Sequence, residues 1–200
     1  MLLILSGSSG AGKDTVAARL MAVDARLQRV ITMTTRAPRS GEKNGVDYHF
    51  VSPQQFQSLL AANQLLEWAH VYGNWYGVPL QGVREKLAAG CDVLLKVDIQ
   101  GAATIKKLMP QAIGIFVAPP SMEELGERLD RRRTETAAER ALRQTTAAEE
   151  VKALPLFDYI VLNEQDQIEA AVESIRAIIT AEKCRIKRRL DSPGADASPG

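Results

Sequence analysis

Short apolar runs recur along the chain, separated by longer stretches that mix apolar and polar residues. The runs are nearly continuous rather than alternating, and glycine, proline or polar residues bound each of them. This pattern is typical of strands that are buried on both faces of a parallel sheet. The predicted strands are residues 2–5, 30–33, 93–97, 113–117 and 159–162.

The stretches between the runs carry helix signals. Ser52 and Pro53 form an N-cap followed by proline at the first helical position, and Gln55 completes a capping box. Gly90 is placed to end the helix before the third strand, and residues 167–190 form a long amphipathic segment. Strands that alternate with helices predict an α/β fold with a central parallel five-stranded sheet flanked by crossover helices.

Three stretches depart from this alternation. Residues 32–78 are rich in aromatic side chains and have the composition of a small inserted mixed α/β subdomain. Residues 128–143 are dense in arginine and poor in large apolar side chains, so we expect them to cover a site rather than fill the core. The tail, residues 191–200, is rich in Ser, Pro, Gly and Ala and is predicted to be disordered.

Composition narrows the classes of partner. The 200 residues fit one domain, and 25 basic against 24 acidic residues give a net charge of +1. The chain has no overall positive charge of the kind that would indicate nucleic acid or a membrane as the main partner. The basic run 183–189 is interpreted as a solvent-exposed helix face. Cys91 and Cys184 match no metal-ligand spacing, and no apolar run approaches a membrane span. We therefore expect a cytoplasmic location.

The sequence GSSGAGKDT, residues 7–15, follows the first strand and precedes a helix. Its pattern G-x-x-x-x-G-K is that of a loop whose backbone N–H groups and lysine hold phosphates. Gly7, Gly10 and Gly12 permit conformations closed to other residues, and Lys13 reaches the outer phosphates. These features predict a nucleotide triphosphate site.

Asp14 stands where this pattern has Ser or Thr. That hydroxyl helps to hold magnesium, and a carboxylate there either ligates the cation or repels the triphosphate. Thr15 is a poor substitute, because one residue along a helix turns the side chain by about 100°. The sequence leaves both readings of Asp14 open.

Four further segments follow the phosphate loop in order along the chain: TMTTRAPRSGEKNGVDYHF (32–50), LLEWAHVYGNWYG (65–77), VDIQGA (97–102) and RLDRRRTETAAERALR (128–143). Together they resemble guanylate kinase, over residues 2 to about 182. The resemblance implies a P-loop kinase that transfers the γ-phosphoryl group of ATP to GMP in purine nucleotide metabolism, with Mg²⁺ accompanying ATP. It implies a core of residues 1–31, 79–122 and 148–190, a GMP-binding insert of 32–78 and a helical lid of 123–147, all within one domain of residues 1–190.

The residues of the insert suit a nucleoside monophosphate. Arg36 and Arg39 can grip a phosphate bidentately, and Tyr48 and Tyr76 can donate hydroxyl groups to it. The alternatives are two surface arginines and two rings that only pack. Glu67 can accept from both guanine donors, N1–H and the 2-amino group, which adenine does not present together. By resemblance, GMP is bound by Thr32, Arg36, Arg39, Tyr48, Glu67, Tyr76 and Asp98. Val78 departs from the family, in which many relatives carry Ser or Thr.

The same resemblance assigns the catalytic roles to Lys13 and to three lid arginines, Arg128, Arg132 and Arg143. Lys96 stands where relatives generally carry an acid, and we expect it to pair with Asp14, which is the candidate metal ligand; independent drift at two tolerant positions is the alternative. Asn163 matches a position near the ATP adenine, but an Asn after a strand is also ordinary turn chemistry. The ATP-binding residues implied are Gly7, Ser8, Ser9, Gly10, Ala11, Gly12, Lys13, Asp14, Thr15 and Asn163.

Two other functions fit part of the pattern. A kinase of a ribose bisphosphate or another sugar phosphate is the first, since an Asp after the loop lysine also suits it. Arg36, Arg39 and Glu67 argue against that reading. A catalytically inactive phosphopeptide-binding module of guanylate-kinase type is the second, and the intact phosphate loop argues against it. ATP and GMP are therefore the expected partners, and the oligomeric state is left open.

Overall fold

The computed structural model describes residues 1–8, 11–71, 73–120 and 152–186. Outside residues 33–79, strands and helices alternate along the described ranges, as the apolar pattern predicts. The strands are β1 Leu2–Gly7, β2 Leu27–Arg29, β3 Met33–Thr34, β4 His49–Phe50, β5 Leu65–Val71, β6 Asn74–Pro79, β7 Asp92–Lys96, β8 Ile113–Ala118 and β9 Tyr159–Leu162. The helices are α1 Lys13–Val23, α2 Pro53–Ala61, α3 Leu80–Ala88, α4 Ile99–Leu108 and α5 Ile168–Lys183, with a 3-10 turn at Leu154–Leu156.

The central sheet has five parallel strands in the order β2-β7-β1-β8-β9, which confirms the predicted fold class. β1 lies in the middle, and its side chains alternate between two apolar layers. Leu3 and Leu5 face the layer that α1 and α5 cover, while Leu2 and Ile4 face the layer that contains α3 and α4. Burial on both faces explains why β1 reads as a continuous apolar run.

The prediction of a central strand at residues 30–33 is wrong. The strand that pairs with β7 is β2, three residues earlier, and its last partner is Arg29 opposite Leu94. From Val30 the chain crosses to a second sheet, where Met33 and Thr34 form β3. Val30 is buried at the junction between the two sheets, so the run is apolar without being a strand of the core.

The second sheet has four strands in the order β4-β3-β6-β5, in which β3 and β4 are parallel and the other pairs antiparallel. α2 accompanies it, and the predicted capping box is confirmed: Ser52 Oγ accepts from Gln55 N at 3.1 Å, and Gln55 Oε1 accepts from Ser52 N at 2.8 Å. Leu66 and Val78 carry this sheet onto the core layer of Leu2 and Ile4. Val78 also lines a cavity with Leu95 and Lys96, so the mixed sheet lies beside the carboxyl end of β7.

The helix ends follow the sequence signals with one exception. Gly90, at φ 76°, ends α3, and Cys91 N closes the turn on Lys86 O at 3.0 Å. α5 ends at Lys183, which is not part of a solvated face, because its Nζ contacts Asp92 Oδ2 at 2.5 Å. The predicted lid, 123–147, and the tail, 191–200, lie outside the described residues. Within the described ranges, no helix has the length and apolarity needed to cross a bilayer.

Candidate active site

The loop after β1 needs glycine at two positions for different reasons. Gly7 has φ 144°, and a Cβ built there would lie 2.0 Å from the carbonyl oxygen of Val117 on β8. Gly12 has φ 82° and is the N-cap of α1, so the predicted helix start is confirmed. Glycine at position 7 therefore allows β1 to approach β8 closely, whereas glycine at position 12 adopts the backbone conformation that starts the helix. Ser9 and Gly10 lie outside the described residues.

Lys13 folds back over this loop. Its Nζ donates to Gly7 O at 2.5 Å and to Ser8 O at 2.7 Å, while Ser8 and Ala11 are buried. The ammonium group thus lies at the amino end of α1, on the carboxyl side of β1. A helix N-terminus and a lysine at this edge of a parallel sheet form an arrangement that binds anions.

Arg36 and Glu42 form a hydrogen-bonded ion pair in the loop between β3 and β4. Arg36 Nη1 and Nη2 donate to Glu42 Oε2 and Oε1 at 3.0 and 2.8 Å, and Arg39 N donates to Glu42 Oε2 at 2.6 Å. Glu42 raises the pKa of Arg36, with Tyr76 adding to the effect, and Arg36 lowers the pKa of Glu42. Sequence reasoning missed Glu42, although an acid three residues after Arg39 in a tight turn was the available signal.

Tyr48 and Tyr76 lie next to this ion pair. Their ring centroids are 6.2 Å apart in an edge arrangement, and the guanidinium carbon of Arg36 lies 5.5 Å from the Tyr48 ring centroid. The Arg39 side chain is exposed. The structure therefore brings Arg36, Tyr48 and Tyr76 together, and it anchors Arg39 through its backbone.

Glu67 is a buried acid on β5, with 8% of its surface exposed. Leu65, Leu66 and Glu67 are all buried in succession, because the pairing with β6 shifts register between Leu65 and Glu67. Such an irregularity re-aims a side chain that strict alternation would send to the other face. Among the described residues, no hydrogen bond or salt bridge reaches the Glu67 carboxylate.

The surroundings of Glu67 disfavour the ionised form of its carboxyl group. Burial, reinforced by the charge of Asp98, raises the pKa of Glu67 to about 7. Gly101 lets the carboxylate pack against the first turn of α4, since a Cβ there would lie 3.0 Å from Glu67 Cδ and Oε1. Val78 lies opposite Glu67 on β6 and is buried, and Asp98 caps α4 by accepting from Gly101 N at 2.7 Å. A buried acid without a partner is suited to a ligand that brings its own donors.

An open cavity of about 240 Å³ joins the loop end of α1 to the second sheet. Thr32, Tyr48 and Val78 line its far side, and Asp14 and Lys96 line the side next to α1. The cleft therefore has one wall from the phosphate-loop half and one from the half that holds Glu67 and Arg36.

Comparison with known proteins decides the family. The guanylate kinase family model matches residues 1–182. A guanylate kinase of Desulfitobacterium hafniense is 43% identical over 189 residues, which cover 94% of each chain. One of Halalkalibacterium halodurans is 42% identical over 191 residues, covering 96% of this chain and 93% of the relative. The crystal structure of guanylate kinase from Anaplasma phagocytophilum aligns with a TM-score of 0.72 at 32% identity, over 94% of this chain and 88% of that one.

The chain belongs to the guanylate kinase family. The resemblance inferred from the ordered segments of the sequence is thereby confirmed.

Within this guanylate kinase fold, the expected pairing of Asp14 with Lys96 is confirmed. Lys96 Nζ donates to Asp14 Oδ1, although the two residues are 82 positions apart. Asp14 is in the first turn of α1 and Lys96 is the last residue of β7, so a helix start and a strand end meet at the edge of the cleft. Both side chains remain open to solvent, Asp14 at 82% and Lys96 at 47% exposure.

Asn163 lies under the phosphate loop. It is buried directly after β9, and its Nδ2 donates to Ala11 O at 2.8 Å. A Cβ on Gly12 would lie 2.5 Å from the same nitrogen. Asn163 thus contacts the loop backbone, and with Gly12 and the exposed Thr15 it lines an open cavity of about 360 Å³.

The lid arginines Arg128, Arg132 and Arg143 lie outside the described residues. Besides Glu42, sequence reasoning missed Gly101. Gly101 on α4 packs against Glu67, and the two residues are 34 positions apart in the sequence. No local pattern around Gly101 could have indicated that contact.

Proposed function

We propose that this chain transfers the γ-phosphoryl group of ATP to the phosphate of GMP, giving ADP and GDP. The observation that carries this conclusion is the buried Glu67 carboxylate, which no hydrogen bond or salt bridge among the described residues reaches and which is paired in register with Val78 on the far side of the cleft. A donor site for anions and an acceptor site with an acid of this kind are what an ATP:GMP phosphotransferase requires.

The acceptor half would hold GMP at both ends. Glu67 accepts from N1–H and the 2-amino group of guanine, with Thr32 on the base as well. Asp98, beside Glu67, belongs to the same half through its charge and its cap on α4. The phosphate end falls to Arg36, Arg39, Tyr48 and Tyr76, of which Arg36, Tyr48 and Tyr76 are clustered in the structure. Adenine lacks this donor pair, so it would leave the acid unpaired at a cost of several kcal/mol.

The donor half would hold the phosphates of ATP. The loop of residues 7–15 offers backbone N–H groups and the amino end of α1, and Lys13 supplies a point charge. Lys13 is already held over the loop by Gly7 O and Ser8 O, so little ordering is needed before it meets a phosphate. Asn163 holds the loop from below and lines the open cavity where the adenosine would extend.

Asp14 is the residue that would hold Mg²⁺. Its carboxylate is exposed at the first turn of α1, and magnesium in kinases is bound by one or two carboxylates together with substrate phosphates and waters. Within the described residues, no group of three or more His, Cys, Asp or Glu converges, which fits a metal held mainly by ATP. When bound, the ion neutralises charge on the β- and γ-phosphates.

The transfer itself needs positioning and positive charge rather than covalent catalysis. Lys13 acts at the donor phosphates, and the resemblance adds Arg128, Arg132 and Arg143 from a lid of residues 123–147. With the core of 1–31, 79–122 and 148–190 and the insert of 32–78, this division lets the nucleotides meet where water is excluded. A cytoplasmic location stays a prediction.

A substrate panel tests the function. The protein is incubated with Mg-ATP and, in turn, GMP, AMP and a ribose bisphosphate, and ADP release is followed. Turnover with GMP alone is expected. Turnover with the ribose bisphosphate alone would assign the chain to sugar phosphates, and no turnover with any acceptor would indicate a binding module.

Glu67→Gln tests the base reader in the same assay, with the exposed Glu85→Gln on α3 as its matched control. The Glu67 variant should raise the KM for GMP at least tenfold and leave the KM for ATP unchanged. An equal loss for both nucleotides would remove Glu67 from this role.

A further inference from the structure

The Lys96 ammonium has no role in the function proposed above, yet the residue lines the cleft. Lys96 is paired in register with Leu5, two residues before Gly7 on the adjacent parallel strand. The carboxyl ends of β1 and β7 therefore reach the same edge of the sheet, where ligands of open α/β sheets bind.

Lys96 faces both halves of the site. It contacts Asp14, the residue next to Lys13, and it lines the same cavity as Thr32 and Tyr48 on the second sheet. Its side chain is on the α1 side of the sheet, as is that of Leu94 two residues earlier. The ammonium thus lies between the residues proposed for the donor phosphates and those proposed for GMP.

Stability does not account for the Asp14–Lys96 pair. Both side chains are largely exposed, and exposed ion pairs contribute little to folding. The other charged groups around the cavity have partners of their own: Arg29 Nη2 donates to Val46 O, Glu42 is held by Arg36, and Asp47 Oδ2 accepts from Lys43 N. Within the part of the chain that the structure describes, Lys96 is therefore a cation held at the cleft by one solvent-exposed carboxylate.

We propose that Lys96 is a catalytic residue whose ammonium binds the oxygens of the phosphoryl group in transit, and that Asp14 positions it through Oδ1, which leaves Oδ2 for the metal. The strand end next to a phosphate loop ordinarily supplies an acid that helps to hold the metal, and here it supplies a cation directly. A fixed positive charge at that point stabilises the negative charge spread over the equatorial oxygens. This inference rests on the proposed function.

The step keeps Lys96 protonated throughout. The bond between the γ-phosphorus and the oxygen that bridges it to the β-phosphorus breaks, and ADP leaves with that oxygen. A phosphate oxygen of GMP forms the new bond to the same phosphorus. Lys96 only donates hydrogen bonds, so no proton has to be taken up or released by it.

Steady-state kinetics of Lys96→Met, with Lys96→Arg and Lys107→Met beside it, test this role. Lys107 is an exposed lysine on α4 and serves as the matched control. Lys96→Met is expected to lower kcat about 100-fold, as the loss of one charge-stabilising donor does elsewhere. The dissociation constant of GMP, measured by calorimetry without ATP, should change less than threefold. Lys96→Arg should keep at least a tenth of kcat, and Lys107→Met should match the unmodified protein.

The Asp14→Asn background separates catalysis from mere charge compensation. If Lys96 only neutralises Asp14, then Lys96→Met has no further effect once Asp14 is an amide. We expect Asp14→Asn/Lys96→Met to lose at least a further tenfold in kcat relative to Asp14→Asn. Equal rates for those two proteins, or an unchanged kcat in Lys96→Met, would overturn the inference. Failure of the unmodified protein to phosphorylate GMP would instead overturn the proposed function.

Discussion

Arg36 and Glu42 form a bidentate ion pair in which three guanidinium donors are already used. Two of them go to the Glu42 carboxylate, and a third hydrogen bond joins Nη1 to Ala37 O at 2.8 Å. A guanidinium has five N–H donors, so at most two remain on the edge that carries Nε, and Tyr76 is a further hydrogen-bond partner of the group. Glu42 thus fixes the plane of Arg36 and leaves one edge for a phosphate.

Glu42→Gln should weaken GMP binding about fivefold to tenfold. The amide keeps one acceptor oxygen but loses the charge and the second hydrogen bond, so the guanidinium must be ordered when the phosphate arrives. Calorimetric titration with GMP measures the effect. Glu173→Gln, which breaks the exposed pair with Arg176 on α5, is the control. Unchanged or tighter GMP binding in the Glu42 variant would contradict the positioning role.

GMP affinity should fall as the pH drops below about 7. Reading guanine requires the ionised Glu67 carboxylate, whereas burial and Asp98 raise its pKa to about 7 in the unliganded protein. The dissociation constant should therefore rise about tenfold between pH 8 and pH 6. Glu67→Gln retains the titration of the GMP phosphate and removes that of the side chain. Parallel profiles for the two proteins would show that Glu67 is not the titrating group.

Glu67→Gln should also stabilise the unliganded protein, by an amount that grows as the pH rises from about 4.5 to 7. The folded pKa of about 7 lies above the ordinary 4.5, so the fold favours the protonated acid. The stability that the protonated acid contributes is complete below pH 4.5 and is lost as the pH rises through 7. The total loss is about 3 kcal/mol. Urea unfolding at pH 5 and pH 8 should show a gap between variant and parent that grows with pH. A constant gap, as expected for Glu85→Gln, would contradict this.

Lys13→Met should lower kcat/KM for the transfer by about 100-fold to 1000-fold with the fold retained. The ammonium is the one described cation held directly on the loop carbonyls, and methionine has similar length without charge. Turnover is measured beside Lys107→Met, and circular dichroism and thermal unfolding check the fold. Activity close to that of the parent would mean that another group carries the donor phosphates.

Gly7→Ala should destabilise the protein far more than Gly41→Ala. A Cβ at Gly7 would overlap the Val117 carbonyl, whereas at Gly41, also at positive φ, it would meet nothing within 4 Å. Strain alone predicts about 1 kcal/mol at Gly41, and the added overlap predicts about 3 kcal/mol or more at Gly7. Urea midpoints compare the two. Equal losses would mean that β8 yields freely to the new methyl group.

Patterns that act over a few residues were enough for much of this molecule. The buried strands β1, β7 and β8 follow from apolar runs, since a strand covered on both faces admits few polar side chains. The apolar run of β9 also predicts a strand, but β9 lies at the sheet edge and exposes Ile160 and Leu162. The capping box at Ser52 and the helix end at Gly90 follow from local hydrogen bonding and backbone freedom. The ordered segments likewise sufficed to place the chain in the guanylate kinase family.

Only the tertiary structure decided which distant residues meet. The mainly apolar residues 30–33 do not tell a strand of the central sheet from a crossing between sheets, because either can bury a residue such as Val30. Glu67 owes its burial to a register shift and to Gly101, and Arg36 owes its orientation to Glu42. A sequence specifies residue types and their local periodicity, whereas the pKa of an acid and the direction of a guanidinium depend on neighbours that the fold brings together.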